Sequence, residues 1–187
     1  IVYIKRMDFC RKTILLLIFS SFMSVGWGQD CIDGVEVELW GECYNIEETT
    51  NLNLYNSGLT GEIPSEIGNL SNLSYLYLSD NNLSGEIPPE IGNLISLKHL
   101  VIWGNNLSGE IPSEIGNLTN LQVLSLSDNN LTQTIPSEIG NLFMLRELFL
   151  NSNYLIGEIP NEVGNLINLE YLVLDNNSLT GQIPEGM

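Results

Sequence analysis

Few residues in this 187-residue chain are of types that do chemistry, and their spacing argues against catalysis. The single histidine is His99. On a repeating layout its cross-strand neighbours are Tyr75 and Val123, so it has no second base and no nucleophile to activate. No phosphate loop, zinc signature or nucleophile elbow occurs. Carboxylates are plentiful, 22 of them beyond Gln29. A pair for glycoside cleavage could be drawn anywhere among so many, so such a pair carries no information. They fall into two columns. Glu62, Glu86, Glu110 and Glu158 precede Ile-Pro, and Glu66, Glu90, Glu114, Glu138 and Glu162 precede an Ile/Val-Gly step. Stacked about one strand spacing apart, roughly 5 Å, they could attract Ca²⁺. A solvated acidic edge copied by duplication accounts for them more simply. No metal, cofactor or enzymatic activity is therefore expected.

The cysteines are Cys10, Cys31 and Cys43. Cys10 falls in a leader. Met7 is the expected start, Arg11-Lys12 a positive n-region, and Thr13 to about Val25 an apolar run. Gly26-Trp27-Gly28 sets small residues before a cut ahead of Gln29. The run is short for a membrane span and is interrupted by Ser20, Ser21 and Ser24. Residues 1–28 thus read as a signal-peptide leader, and the remainder as secreted or cell-surface. Cys31 and Cys43 then form an even pair in an exported segment, for which a disulfide is expected. Closing that loop stabilises by roughly 3 kcal/mol on the chain-entropy estimate. Two thiols without a nearby histidine fall short of a metal site.

The formal net charge is -17. Beyond Gln29 only Lys98 and Arg146 are basic, leaving about -20 by count. Such a surface repels phosphate backbones and anionic lipid, so no nucleic-acid partner is expected.

These residues are positioned by a repeat. Gly-Asn-Leu begins at Gly68, Gly92, Gly116, Gly140 and Gly164, always 24 residues apart. Ile-Pro recurs at the same interval from Ile63 to Ile183. Within a unit, Leu76-Tyr77-Leu78 alternates as a short strand with one buried face. Asn81 follows, with Asn105, Asn129, Asn153 and Asn177 at the same position, and stacked copies would form a buried amide ladder. Leu83, Ile87, Ile91 and Leu94 turn inward. Gly85 permits a left-handed or close step. Pro88 argues against a long helix. Gly92-Asn93 is expected to make the turn to the next strand. The coils must stack, because none can bury its apolar edge alone. Residues 49–187 hold about six units. The first is degenerate, with Thr49 for Leu73 and Ser57 for the ladder asparagine, and residues 29–48 are expected to cap it. The last unit breaks off at Pro184-Met187, so the array is expected to continue in a longer protein.

The unit L-x-x-L-x-L-x-x-N-x-L-[ST]-G-x-I-P-x-x-I-G-N-L resembles the plant-type leucine-rich repeat. That class occurs in receptor-like kinase ectodomains, polygalacturonase-inhibiting proteins and exported bacterial proteins. The resemblance implies a solenoid horseshoe of the α/β type. Parallel strands line its concave face, and short 3₁₀ or extended segments form the convex one. Plant caps usually carry adjacent cysteines. Here Cys31 and Cys43 stand apart around Trp40-Gly41-Glu42, which favours the bacterial members.

Function is then sought on the variable strand positions. The columns flanking the strand leucines place Tyr55, Tyr75, Tyr77, His99, Trp103, Phe149 and Tyr171 on one face. Exposed aromatics of this kind anchor protein, peptide or glycan partners. The expected role is a monomeric, non-catalytic recognition module. The alternative is a structural or adhesive spacer whose activity lies further along the chain. Asn-x-Ser/Thr sequences at Asn69, Asn72, Asn82, Asn106, Asn117, Asn130 and Asn176 follow from the repeat itself. They matter only in a eukaryotic secretory pathway.

Overall fold

The computed structural model describes residues 31–184. The expected leader, residues 1–28, and the first two cap residues lie outside that range.

Six parallel strands form the inner sheet in chain order: Asn51–Asn53, Tyr75–Tyr77, His99–Val101, Val123–Ser125, Glu147–Phe149 and Tyr171–Val173. The pairing register equals the repeat. Leu52 faces Leu76, which faces Leu100, then Leu124, Leu148 and Leu172. Each repeat position therefore becomes a straight column through the molecule. The leucine columns fill the interior, and Leu76, Leu78, Leu100 and Leu124 have no exposed surface.

After each strand the chain passes a residue of left-handed or glycine character: Asn56, Asp80, Gly104, Asp128, Ser152 and Asn176 all have φ between 49° and 68°. Asn, Asp and Gly tolerate that region best. The ladder asparagine comes next. Asn105 Nδ2 donates to the carbonyls of Leu78 (3.0 Å) and Ile102 (3.1 Å), and its Oδ1 accepts from Leu83 N–H (3.1 Å). Asn129 and Asn153 repeat this pattern. In the first unit, where Ser57 stands in the ladder column, its N–H is taken instead by Asn81 Oδ1 at 2.9 Å.

The convex side differs from expectation in two respects. Its extended segments pair into a second parallel sheet: Thr60–Gly61, Asn82–Gly85, Asn106–Gly109 and Asn130–Leu131, with Ile156–Glu158 and Ser178–Thr180 as a separate pair. The interruption falls at Gln133, which occupies the glycine column at φ 65°. A side chain held left-handed costs roughly 1–2 kcal/mol. Gln133→Gly is accordingly expected to raise the unfolding free energy by about 1 kcal/mol, part of the gain being offset by the greater entropy of an unfolded glycine. A raised urea midpoint at constant slope would show it, and an unchanged or lowered midpoint would refute the strain.

The second difference concerns Gly92-Asn93. These residues close a five-residue 3₁₀ helix, Pro89–Asn93, rather than making a turn. Equivalent helices are Ser65–Asn69, Ser113–Asn117, Ser137–Asn141 and Asn161–Asn165. The glycine is needed for proximity: a Cβ on Gly92 would lie 2.5 Å from the Glu114 carbonyl oxygen of the next coil.

At the N-terminal end, Glu36–Leu39 and Glu42–Asn45 form an antiparallel hairpin. Its turn, Trp40-Gly41, has positive φ at both positions (49° and 82°), as a tight two-residue hairpin requires. Val37 and Leu39 are buried in the hydrophobic core. Cys31 and Cys43 are joined by a disulfide across a Cα separation of 5.5 Å.

Candidate recognition surface on the concave sheet

Because strand residues alternate sides, the residues flanking each buried leucine face outward from the inner sheet. Five of the seven aromatic and imidazole groups singled out in the sequence make ring contacts there, as a Tyr75–Tyr77–His99 triad and a Tyr55–Trp103 pair. Tyr75 and Tyr77 lie on one strand with ring centroids 6.4 Å apart. His99 sits opposite Tyr75 on the next strand and meets its ring edge-on at 5.1 Å. It also lies edge-on to Tyr77, with Nδ1 3.0 Å from the Tyr77 hydroxyl. Tyr55 and Trp103 belong to one column two coils apart, with centroids at 6.2 Å. The residue between them is Ser79, small and only 1% exposed, so the two rings close over it.

Phe149 and Tyr171 are separated from this cluster by the strand Val123–Ser125. Tyr171 is 56% exposed, so it extends the face without joining the cluster. Not every position on this face is open. Ser79, Ser125 and Ser127 are buried, and Ser127 donates to Asn151 Oδ1 at 2.6 Å.

Burial acts on both the imidazole and the phenol beside it. Burial lowers the His99 pKa below its usual 6.5, against an upward pull from Glu147, so the ring is neutral at pH 7. Burial raises the Tyr77 pKa, keeping that phenol protonated. In the tautomer with a bare Nδ1, Tyr77 donates to it and Nε2–H is left for an acceptor. The Tyr55 pKa is also raised, first by a hydrogen bond with Asp80 and then by that carboxylate's charge.

Asp80 was not among the expected site residues. Its signal is the left-handed column ahead of the ladder asparagine, where short polar residues stand at every coil but that of Gly104. Gly104 follows Asp80 in that column, and a Cβ there would come within 2.8 Å of Asp80 Oδ1. The glycine thus leaves room for the Asp80 carboxylate, which raises the Tyr55 pKa.

Among the described residues no group of three or more His, Cys, Asp or Glu is arranged to hold a metal ion. Nor is any helix among them long and apolar enough to cross a membrane.

Comparison with known proteins agrees with this geometry. Residues 50–152 match the family described as leucine-rich repeat region, and residues 144–166 and 168–187 match the leucine-rich repeat family. Curated proteins gave no match. Among solved structures, the chain is similar to the ectodomain of the Arabidopsis thaliana receptor kinase GASSHO1/SCHENGEN3, solved with CASPARIAN STRIP INTEGRITY FACTOR 2. Identity is 43% and the TM-score 0.68, over 69% of this chain and 16% of that one. It is similar to the Arabidopsis receptor kinase HAESA, solved with the peptide hormone IDA and the co-receptor SERK1, at 46% identity and a TM-score of 0.65, over 67% of this chain and 21% of that one. It is also similar to the ectodomain of the Arabidopsis thaliana receptor kinase SOBIR1, at 33% identity and a TM-score of 0.68, over 75% of this chain and 77% of that one. The chain thus spans about a fifth or less of the first two ectodomains and about three quarters of the third. All three are plant proteins, and none speaks for the bacterial members of the class.

Proposed function

Because this chain belongs to the leucine-rich repeat family, we propose that it is an extracellular recognition module whose concave sheet binds a peptide or an extended protein segment. The observation that carries this reading is the aromatic cluster. Tyr55, Tyr75, Tyr77, His99 and Trp103 present closely spaced rings on one rigid sheet. Rings held by their neighbours lose little freedom on binding, and Tyr and Trp dominate the energetics of protein recognition. Tyr171, and Phe149 to a lesser extent, would continue the surface toward the last coils. The receptor kinases similar to this chain include one solved with a peptide hormone, which favours a peptide over a glycan. The disulfide suits an oxidising compartment, as expected outside the cell. No catalytic step is proposed, since burial disfavours the charged imidazole of His99 and the side-chain hydrogen bond it makes is to the Tyr77 phenol.

The test selects peptides from a displayed random library against the folded protein. Affinity is then measured on the Tyr55→Ala/Trp103→Ala double variant. Anchors of this type contribute about 2 kcal/mol or more, so binding is expected to weaken at least 30-fold while circular dichroism and the urea midpoint stay near wild type. Unchanged affinity in a folded variant would defeat the concave-face reading and leave the spacer role in its place.

A further inference from the structure

The concave face is not the only surface on which this repeat departs from itself. Between each 3₁₀ helix and the following strand lies a rim. Its first column reads Ser71, Ile95, Thr119, Phe143, Ile167, and its second Asn72, Ser96, Asn120, Met144, Asn168. Where the second column holds asparagine, it clips adjacent coils together. Asn72 Nδ2 donates to Glu47 O at 2.9 Å, Asn120 to Ile95 O at 2.9 Å, and Asn168 to Phe143 O at 2.7 Å. Met144 cannot make that bond.

Nor does the core need these substitutions. Ile95 is 59% exposed, Phe143 55%, Met144 50% and Ile167 88%. The fold would be better served by Asn at 144 and by Ser or Thr at 95, 143 and 167, the residues present elsewhere in the same columns. Four large apolar groups thus face water along one edge, at a position where the repeat offers a polar and structurally useful alternative.

The charges on this edge are as unusual as its apolar groups. Lys98 and Arg146, the two basic residues beyond Gln29, occupy the column next to the rim, two coils apart. Arg146 donates through Nε to Glu170 at 2.8 Å, so that pair is neutral and Lys98 is left as positive charge. Gln122, Met144, Arg146, Asn168 and Glu170 line an open hollow of about 250 Å³. Beyond Gln29 the residues carry about -20, and both of their basic groups lie beside this strip, which lowers its repulsion of an acidic partner. An apolar centre with methionine, an aromatic ring and arginine is also the composition of protein interfaces. The substitutions have a further consequence. At Asn93, Asn141 and Asn165 they turn Asn-Leu-Ser/Thr into Asn-Leu-Ile or Asn-Leu-Phe, so those positions cannot accept the glycan that Asn69 and Asn117 of the same column could.

We infer that this rim, centred on Phe143, Met144 and Ile167 and flanked by Lys98 and Arg146, is a second docking surface. It takes a segment of another protein that presents apolar side chains beside carboxylates. The partner's apolar groups cover Phe143, Met144 and Ile167. Its carboxylates lie against Lys98 and share the Arg146 guanidinium with Glu170.

The test uses the triple variant Phe143→Ser/Met144→Asn/Ile167→Ser, in which each change restores a residue type of the repeat. Such a variant should fold at least as well as wild type, and Asn at 144 should regain the clip to the Thr119 carbonyl. Peptides are selected from a displayed random library for binding wild type and not the triple variant. The expected result is a set rich in apolar and acidic residues. Their affinity should fall at least tenfold on the triple variant, fall severalfold on Lys98→Glu, and remain unchanged on Tyr55→Ala/Trp103→Ala. Three results would overturn the inference. One is a selection in which no peptide discriminates the triple variant. Another is a discriminating set that is basic or that loses binding with the concave variant. The third is sedimentation showing that wild type self-associates through this rim and the triple variant does not, which would make a second copy the occupant.

Discussion

Asn105→Ala is expected to lower the unfolding free energy by about 3 kcal/mol, one of the two largest effects of a single substitution in this fold. The residue is 8% exposed and its side chain serves four groups on two coils, the Trp103 carbonyl at 3.4 Å being the most distant. Their losses are unequal. The Leu78 carbonyl retains Asn81, and the Ile102 carbonyl retains Asn129. Each therefore forfeits one of two partners, about 1 kcal/mol apiece. Leu83 N–H retains nothing and is buried, which adds roughly 1–3 kcal/mol for an unsatisfied donor. Asn177 supplies an internal comparison. It makes the equivalent bonds to the carbonyls of Leu150 and Leu174 and accepts from Leu155 N–H, but it is only half-buried. Water can replace part of what alanine removes there, so Asn177→Ala should cost about 1 kcal/mol. Urea titrations of both variants, followed by far-ultraviolet circular dichroism, read the difference. Equal losses at 105 and 177 would mean that burial of the ladder is not what gives it weight.

Gly92→Ala should be comparably damaging, although local propensity argues the opposite. In an unconstrained helix the change from glycine to alanine gains up to about 1 kcal/mol. Here the added methyl carbon would sit 2.5 Å from the Glu114 carbonyl oxygen and 2.7 Å from Glu114 Cβ. The first obstacle is backbone, which cannot rotate aside, so one coil must move away from the next. Overpacking costs 1–3 kcal/mol when side chains can adjust, and about 3 kcal/mol is expected where they cannot. The displacement also breaks the columnar register on which the next coil packs. A thermal melt showing Gly92→Ala at or above wild-type stability would mean that neighbouring coils are free to separate at the 3₁₀ helices.

The two predictions differ in how far the sequence announces them. The ladder is legible from recurrence: an asparagine repeated every 24 residues behind a buried leucine pair has to serve the backbone, because a buried amide must be satisfied. Gly92 is just as regular, yet Gly-Asn before the next strand points to a turn. Recurrence marks a glycine as required without saying whether torsion or proximity requires it. Gly85 recurs as well, in a column broken at Gln133, for the torsional reason, at φ 78°. Gly92 has no such φ, and what excludes a side chain there is the backbone oxygen of Glu114 on the next coil. The second parallel sheet was hidden for a related reason. Asn82–Gly85 has no alternating apolar pattern, since only Leu83 is buried in it, and its pairing depends on coils already stacked.

From the order of residues alone follow the solenoid, its columns, the ladder, the inner strands and the face that carries the aromatics. A repeat of constant length whose units touch only their neighbours leaves the backbone one register to adopt, so position in the period becomes position in space. Tertiary structure decided which groups on that face meet. Tyr55 reaches Trp103 because Ser79 between them is buried, Tyr77 reaches His99 from the adjacent strand, and Asp80 finds Tyr55 because Gly104 leaves it room. Such contacts depend on the size of the intervening side chain and the direction in which each one leaves the backbone. A 24-residue period carries neither quantity, which is why the face could be located in the sequence and its aromatic cluster could not.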